Sequence, residues 1–356
     1  MVNALNDIIL ALRDSAAAAG IPSWGFNLAY MGAKVGLGLA TAMLVTVVLI
    51  YVERKTWAYM QVRLGPMRVG PKGILQPIAD GLKLFLKEDI IPDKANKLLF
   101  RIAPLIVLTP AIMAYLIVPF GDGLIVKDLN IGILYILAIS SIEVLGIVAS
   151  GWSSNNKYSL IGGMRAAAQI VSYEIPVIIC VCSAVLVAGS LSMNQIVASQ
   201  QGGFWNWAAF SVKTFPQIIA AAIYLIGSLA ELNRTPFDLP EAESELVSGF
   251  STEYSGMRYA FFFLAEWMNV FLLACVACTL FFGGWSAPFE FLQGGMLGSF
   301  LWFFVKVWAL MFVVIWIRAT YPRFRVDQLM EFSWKVLIPI SLVNILVTAF
   351  VMLVRG

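Results

Sequence analysis

The sequence predicts an all-α, polytopic membrane protein of about eight transmembrane helices, with an amphipathic interfacial helix after the first span. Of its 356 residues, 60% are hydrophobic and only 13% are charged, whereas a typical soluble domain carries about 25% charged residues. Apolar runs of about 20 residues, each able to cross a hydrocarbon core about 30 Å thick, recur along the chain. We therefore expect one integral membrane domain over residues 1–356.

The eight apolar runs set the approximate limits of the predicted spans. Glycine, proline, asparagine or clustered charges interrupt the hydrophobic sequence between them, as is typical of loops. No basic residues precede the first short apolar run, so we do not expect a cleaved signal peptide. The predicted spans are residues 29–51, 98–119, 130–150, 167–189, 215–232, 257–283, 298–318 and 334–354.

The distribution of lysine and arginine predicts the orientation of these spans. Residues 52–101 alone contain ten basic residues, and cytoplasmic loops are the ones enriched in such residues. We therefore expect the loops 52–97, 151–166, 233–256 and 319–333 on the cytoplasmic side of the membrane. Both termini would then lie on the other side, and Lys34, near the outer end of its span, would extend its ammonium group toward the membrane surface.

The first of these loops contains the predicted interfacial helix. From Ile74 onward, apolar and polar side chains recur every three or four residues on opposite faces, which indicates an amphipathic helix. It is too short and too charged to span a bilayer. It either lies at the membrane surface as an ordinary amphipathic helix or covers a pocket lined by Asp80, Lys83 and Lys87.

Four successive predicted spans each carry one glutamate in the same half of the bilayer. An unpaired charge at mid-membrane costs roughly 2.5–3.5 kcal/mol or more. The set could consist of neutral or locally hydrogen-bonded structural groups, but its regularity favours a chain of protonatable groups that relays protons. These residues are Glu143, Glu174, Glu231 and Glu266. Lys306, in the seventh predicted span, could pair with one of them or line a cavity.

An acidic loop joins the fifth and sixth predicted spans, although it lies among the basic loops. Pro236 and Pro240 restrict the backbone around Asp238. The loop could be an ordinary solvated connection, but the two prolines favour a defined geometry for its acids. The candidate residues of this loop are Asp238, Glu241, Glu243 and Glu245.

The sequence shows no set of residues that would bind a redox cofactor. It contains no histidine, and its four cysteines all lie inside apolar runs. We interpret Cys275 and Cys278 as small apolar side chains packed in a helix. We find no nucleotide-binding fingerprint and no cysteine cluster for an iron–sulfur centre. We therefore expect no cofactor on this chain.

Several polar segments together resemble one known family. The sequence is similar to the H subunit family of the proton-translocating NADH-quinone oxidoreductase, respiratory complex I. The resemblance extends over all eight predicted spans. It is carried by Glu53–Lys55, Arg63–Pro71, Leu75–Lys83, Ser154–Ser159, Ser172–Pro176, Asn233–Glu243, Thr252–Met257 and Arg318–Gln328. Two positions depart from the family pattern: Met67 stands where asparagine is usual, and Val326 where tyrosine or phenylalanine is common.

This resemblance implies a function in quinone reduction coupled to proton translocation. The four glutamates would form the first part of a proton path, and the acidic loop would sense quinone reduction. A quinone chamber would be lined by Arg54, Arg63, Arg68, Asp80 and Lys83.

The resemblance also implies partners. A peripheral redox arm carrying FMN and iron–sulfur clusters would dock on the cytoplasmic loops, with small membrane subunits and antiporter-like subunits alongside. Quinone would be the substrate, membrane lipid would surround the chain, and nucleic acid would play no part. Two alternatives stay open: the homologous membrane subunit of a membrane-bound hydrogenase, and a stand-alone cation/proton antiporter.

Overall fold

The computed structural model describes residues 22–211, 214–240 and 243–355, and in these residues every regular element is a helix. The predicted all-α membrane fold is therefore confirmed. We number the α-helices in chain order. They are α1 Ser23–Met60, α2 Gln76–Leu86, α3 Lys97–Ala114, α4 Gly132–Ser153, α5 Lys157–Ala188, α6 Met193–Ala198, α7 Gln217–Glu231, α8 Glu243–Leu246, α9 Gly256–Phe281, α10 Gly295–Thr320, α11 Val326–Phe332 and α12 Ile338–Arg355.

Seven helical segments among the described residues are long and apolar enough to cross a membrane: α1, α3, α4, α5, α9, α10 and the segment Val326–Val354. The fifth predicted span, 215–232, corresponds to the shorter apolar helix α7 of 15 residues. At 1.5 Å per residue α7 is about 22 Å long, which is less than the thickness of a hydrocarbon core. By contrast, α1 has 38 residues and extends well beyond the predicted first span.

Helix α9 lies at the centre of the bundle and is the most buried of the seven long segments. It packs against α3, α10, α1, α2 and α7. Its second half is rich in small side chains, including the completely buried Cys275 and Cys278, which allow neighbouring helices to approach closely. These two cysteines therefore pack inside a helix, as the sequence indicates.

The predicted amphipathic helix is present as α2. Its polar and apolar residues separate onto two faces, and the apolar side chains of Ile78, Leu82 and Phe85 are more than half exposed on the isolated chain. An exposed apolar face on a short helix suits a position at the membrane interface. Ser255, immediately before α9, holds the segment that follows α2: it accepts a hydrogen bond from the Ile90 amide (3.1 Å) and donates one to the Glu88 carbonyl (3.1 Å).

A proline in α5 creates the attachment point for the C-terminal segment. Pro176 has no amide hydrogen, so the carbonyl of Ser172 cannot form its usual bond within the helix. The Ser333 hydroxyl donates to this carbonyl at 2.7 Å. Ser333 begins the π-helical turn Ser333–Leu337 that joins α11 to α12. The freed carbonyl of Ser172 thus holds the C-terminal segment against α5.

Candidate functional site

Two adjoining cavities inside the bundle bring together the four predicted membrane glutamates. The first, of about 50 Å³, is lined by Glu143, Glu231 and Glu266. The second, of about 100 Å³, is lined by Glu143, Glu174 and Glu231. Both cavities also include Leu232 and the amide side chain of Asn269. These volumes can hold water, which needs at least about 10–15 Å³ and two or more polar partners.

Two of these carboxylates have neutral hydrogen-bond partners. The Asn269 side-chain amide, on α9, donates to Glu143 at 2.6 Å. The Ser141 hydroxyl, on α4, donates to Glu174. No lysine or arginine in the described part of the chain forms an ion pair with either acid. A carboxylate with only neutral partners can gain or lose a proton without breaking an ion pair.

Glu231 connects the two cavities. It is the last residue of α7, and it lines both cavities. Within residues 22–211, 214–240 and 243–355, no lysine or arginine forms an ion pair with its carboxylate. The acidic loop begins immediately after it, so Glu231 lies between the membrane carboxylates and that loop.

Glu266 belongs to a buried ion-pair cluster at the end of the first cavity, and this cluster consists of Glu53, Arg234, Glu266 and Arg318. Arg234 contacts Glu53 at 2.8 Å and Glu266 at 3.0 Å. The other oxygen of Glu53 forms an ion pair with Arg318. The side chains of Arg234 and Glu53 are only 1% and 5% exposed. We call this set the ion cluster; it joins α1, the acidic loop, α9 and α10.

The two carboxylates of the ion cluster stabilise the charged form of Arg234. Burial lowers the pKa of the Arg234 guanidinium, but the carboxylates of Glu53 and Glu266 raise it more, so its pKa lies above the ordinary value. The guanidinium also lies 4.1 Å from the centre of the Trp267 ring, and Arg318 lies 5.0 Å from that of Trp57. Such cation–π contacts add stabilisation where water is excluded.

One buried amide fixes the start of the acidic loop. Gln169, on α5, is 1% exposed. Its side-chain nitrogen lies within hydrogen-bonding distance of three oxygens: the Ala230 carbonyl (2.7 Å), the Phe237 carbonyl (2.8 Å) and the Asn233 side chain (3.1 Å). Because Glu231 and Arg234 lie between these contacts, Gln169 sets the position of both charged side chains.

The acidic loop also packs against the loop that follows α10. Asp238 forms an ion pair with Arg323 at 2.7 Å, the Phe324 amide donates to the Pro236 carbonyl at 3.1 Å, and the Phe237 and Phe324 rings stack with centres 5.5 Å apart. Burial raises the pKa of Asp238, while Arg323 lowers it by a smaller amount.

The remaining predicted acids of this loop have different positions. Glu245 is exposed and pairs with Arg165 on α5 at 2.7 Å. Glu243 begins α8, and Glu241 lies outside the described residues. Gly162 of α5 explains the close approach of this segment: a Cβ atom there would lie 2.6 Å from the Cα of Gly249. Only glycine allows the loop to pack so tightly on α5.

The predicted chamber residues of the first loop are partly brought together. Arg54 forms an ion pair with Asp80, which also accepts a hydrogen bond from Gln76 at 3.2 Å. Arg63 contacts Gln61 at 2.6 Å. Arg68 and Lys83 are exposed. None of these residues lines the two acid-lined cavities.

Lys306 neither pairs with a glutamate nor lines those cavities. Its ammonium donates to the backbone carbonyls of Phe282 (2.8 Å), Gly284 (2.9 Å) and Ser286 (2.6 Å). It also lies 3.9 Å from the centre of the Trp207 ring. The loop after α9 therefore holds this lysine, which satisfies carbonyl groups that the end of a helix leaves unpaired.

Sequence reasoning selected all four cavity glutamates but missed the polar residues that organise them: Asn269, Gln169 and the basic members of the ion cluster. Asn269 and Gln169 are single amides inside otherwise apolar runs, which is a signal that could have found them. The pairing of Glu53 with Arg234 and Arg318 has no local signal, because its members are distant in the sequence.

The fold and the cavities define a class of protein: a polytopic membrane protein with clustered ionisable groups inside the bundle, which mark paths for ions or protons. A family model described as NADH dehydrogenase matches residues 33–349. The relatives include three bacterial proteins, each named as the H subunit of an NADH-quinone oxidoreductase. One, from Geobacter sulfurreducens, is 50% identical, with 90% of this chain and 94% of the relative covered.

Two further relatives carry the same subunit name. The Brevibacillus brevis protein is 49% identical, with 93% of this chain and 95% of the relative covered. The Geobacillus kaustophilus protein is 50% identical, with 89% and 93% covered. The chain belongs to the H subunit family of the NADH-quinone oxidoreductases, as the resemblance of its polar segments predicts.

Proposed function

We propose that this chain, as a membrane subunit of an NADH-quinone oxidoreductase, couples quinone reduction to proton translocation through its buried carboxylates. The observation that carries the proposal is the arrangement of Glu266, Glu231, Glu143 and Glu174 around two adjoining cavities. This row begins at the ion cluster beneath the acidic loop and continues into the membrane part of the bundle.

The quinone would bind on the side of the first loop. Arg54, Arg63, Arg68, Asp80 and Lys83 provide cationic and hydrogen-bonding groups there, and the Arg54–Asp80 ion pair connects the end of α1 to the amphipathic helix. Electrons come from partner subunits, in which we expect FMN and iron–sulfur clusters. Reduction of a quinone to a quinol takes up two electrons and two protons, so negative charge develops at the bound ring until the protons arrive.

The coupling step would be electrostatic. Negative charge near the acidic loop draws protons or cationic side chains toward Asp238 and its neighbours Glu241, Glu243 and Glu245. Arg234 is the cation through which this change reaches the membrane carboxylates, because it contacts Glu266 and lies three residues after Glu231. A weaker Arg234–Glu266 contact would leave Glu266 free to bind a proton that the cavity water can then pass to Glu143, Glu231 and Glu174.

The same proposal predicts how the chain is oriented in the membrane and which subunits lie beside it. The basic loops face the cytoplasm and receive the peripheral redox arm, the termini lie on the opposite side of a bacterial inner membrane, and antiporter-like and small membrane subunits lie alongside in the lipid. The exposed apolar face of α2 supports a position at the interface, where a quinone could leave the bilayer.

The test replaces Glu231 by glutamine in the assembled complex and measures quinone reduction and proton translocation in the same vesicles. We expect translocation per quinone reduced to fall at least tenfold, because glutamine keeps the shape but cannot exchange a proton. The matched control is Glu331→Gln, an exposed acid paired with Lys335, which should leave both activities unchanged. Undiminished translocation in Glu231→Gln would remove this residue from the path.

The composition of the purified complex separates the proposal from its alternatives. We expect flavin, iron–sulfur and NADH-oxidising subunits to co-purify with the chain. A nickel-containing subunit would instead identify a hydrogenase, and purification without partners would identify an antiporter.

A further inference from the structure

A third cavity lies at the opposite end of the bundle from the basic loops, where the proposed function has no role for it. It has a volume of about 310 Å³ and lies between the first half of α1, the loop after α3 and the start of α10. Its walls are largely apolar. The side chains that define it are Tyr30, Leu37, Phe120, Ile125, Met296 and Phe300.

Two lysines lie at the mouth of this cavity. Lys34 lines the cavity itself and also the adjacent surface depression, where Lys127 joins it. The Lys34 ammonium lies 4.8 Å from the centre of the Tyr30 ring, one turn nearer the start of α1. The side chain is therefore directed toward the membrane surface and not toward the bilayer centre.

Of the described residues that line this depression, one is an acid, and it has its own partners. Asp128 accepts hydrogen bonds from the Ser192 hydroxyl at 3.0 Å and from the Asn194 amide at 2.9 Å, one on each carboxylate oxygen. Neither lysine forms an ion pair with a described acid. Among the residues that the structure describes, the mouth of the cavity thus carries two cations against one engaged carboxylate, which gives these residues a net positive charge.

We propose that this cavity binds one acyl chain of an anionic phospholipid whose phosphate group contacts Lys34 and Lys127. The apolar walls suit a hydrocarbon chain, and lysines at the depth of the lipid headgroups attract anionic lipids. A purely apolar helix of a partner protein fits less well, since it would leave the two ammonium groups without an anion. A neutral quinone carries no negative charge to match the two cations.

The test uses the assembled complex, depleted of lipid in detergent and then supplied with phosphatidylglycerol or phosphatidylcholine of the same acyl chains. Native mass spectrometry of the chain released from the complex measures how much of each lipid it retains. We expect clear preference for phosphatidylglycerol. The double variant Lys34→Gln/Lys127→Gln should weaken its retention roughly 30-fold, about fivefold for each lysine.

Three further variants make the result specific. Lys34→Arg/Lys127→Arg keeps both charges and should retain phosphatidylglycerol. Lys97→Gln/Lys157→Gln removes two exposed lysines from the other end of the bundle and should also retain it. Leu37→Trp fills the cavity and should reduce retention of either lipid. Equal retention of the two lipids, or unchanged retention after loss of both lysines, overturns the proposal. Quinone reduction and proton translocation should be unaffected by the lysine variants, so failure here does not bear on the proposed function.

Discussion

The ion cluster and the acids deeper in the bundle use the same residue types in opposite ways. In the ion cluster, Glu53 and Glu266 share the buried Arg234, and each charge has a counter-charge within 3.0 Å. Farther along the two cavities, Glu143 and Glu174 have only an amide and a hydroxyl as partners. The first arrangement fixes charges, whereas the second allows protons to come and go. Glu266 belongs to both regions, since it pairs with Arg234 and lines the first cavity.

This difference teaches that a membrane glutamate cannot be assigned a role from its depth alone. All four glutamates lie in apolar helices, yet only Glu266 is paired with an arginine in the described structure. A buried ion pair is costly to break and contributes little net stability when intact. Under the proposed function, the pair would respond to a new charge nearby, and the acids with neutral partners would carry the proton onward.

The largest expected effect tests the ion cluster. Arg234→Met leaves Glu53 buried without one of its two partners and releases Glu266, and removing one member of a buried ion pair typically costs about 3–5 kcal/mol. We expect much less assembled complex in membranes and earlier thermal inactivation of what remains, measured by immunoblot and residual quinone reductase activity. Arg325→Met, which removes an exposed arginine paired with Asp327, is the control. Normal assembly of Arg234→Met would mean that the cluster is not structurally required.

The next effect tests whether Gln169, by holding the start of the acidic loop, positions both Glu231 and Arg234. Gln169→Leu removes an amide that lies within hydrogen-bonding distance of three oxygens of the segment Ala230–Phe237 and can donate to two of them at a time. Each buried group left unsatisfied costs about 1–3 kcal/mol. We expect faster hydrogen exchange in residues 230–256. Gln200→Leu is a matched control, because Gln200 is also buried and contacts three backbone carbonyls, those of Ile196, Thr279 and Leu280, away from the acidic loop. Equal exchange of residues 230–256 in the two variants would contradict a special role for Gln169.

A third change tests the neutral hydrogen-bond partner of Glu143. Asn269→Leu removes the donor to Glu143 and replaces the one amide in the shared wall of the two cavities by an apolar side chain. We expect proton translocation to slow about tenfold, which corresponds to the loss of about one hydrogen bond to a charged group, while assembly stays normal. Ser140→Ala is the control, since Ser140 lines the second cavity but bonds the Leu137 carbonyl of its own helix. A similar slowing in both variants would show that cavity polarity, and not the Asn269–Glu143 bond, sets the rate.

The smallest effect depends on pH. Burial raises the pKa of Asp238 above its unfolded value, so its contribution to stability is fully present at low pH and is lost as the pH rises through its folded-state pKa. Arg323→Met removes the cation that opposes this rise. We expect a further upward shift of less than about one pH unit, since partly exposed pairs are weak. The variant should inactivate at lower temperature than the parent at neutral pH and at the same temperature once Asp238 is protonated. A difference independent of pH would mean that Arg323 acts through packing alone.

Much of the fold was accessible from the sequence because hydrophobic length and charge are local properties. The positions of the long helices, the amphipathic helix α2 and the four membrane glutamates follow from such patterns. The fifth span was predicted less well: residues 215–232 contain a helix of only 15 residues, because Pro216 precedes it and the acidic loop follows directly. Lys306 could not be assigned either, since its three carbonyl partners lie in a loop whose path no local pattern predicts.

The sequence by itself determined that this protein is a helical membrane bundle with acids inside it. Apolar runs and the isolated charges within them can be recognised in each helix separately. The tertiary structure alone decided which acids are paired. Arg234 reaches Glu53 across 181 positions of the chain, and Arg318 reaches the same carboxylate across 265. The physical reason is that an ion pair depends on the separation of two charges in space and on the exclusion of water around them, and both are set only when α1, α9 and α10 have packed together.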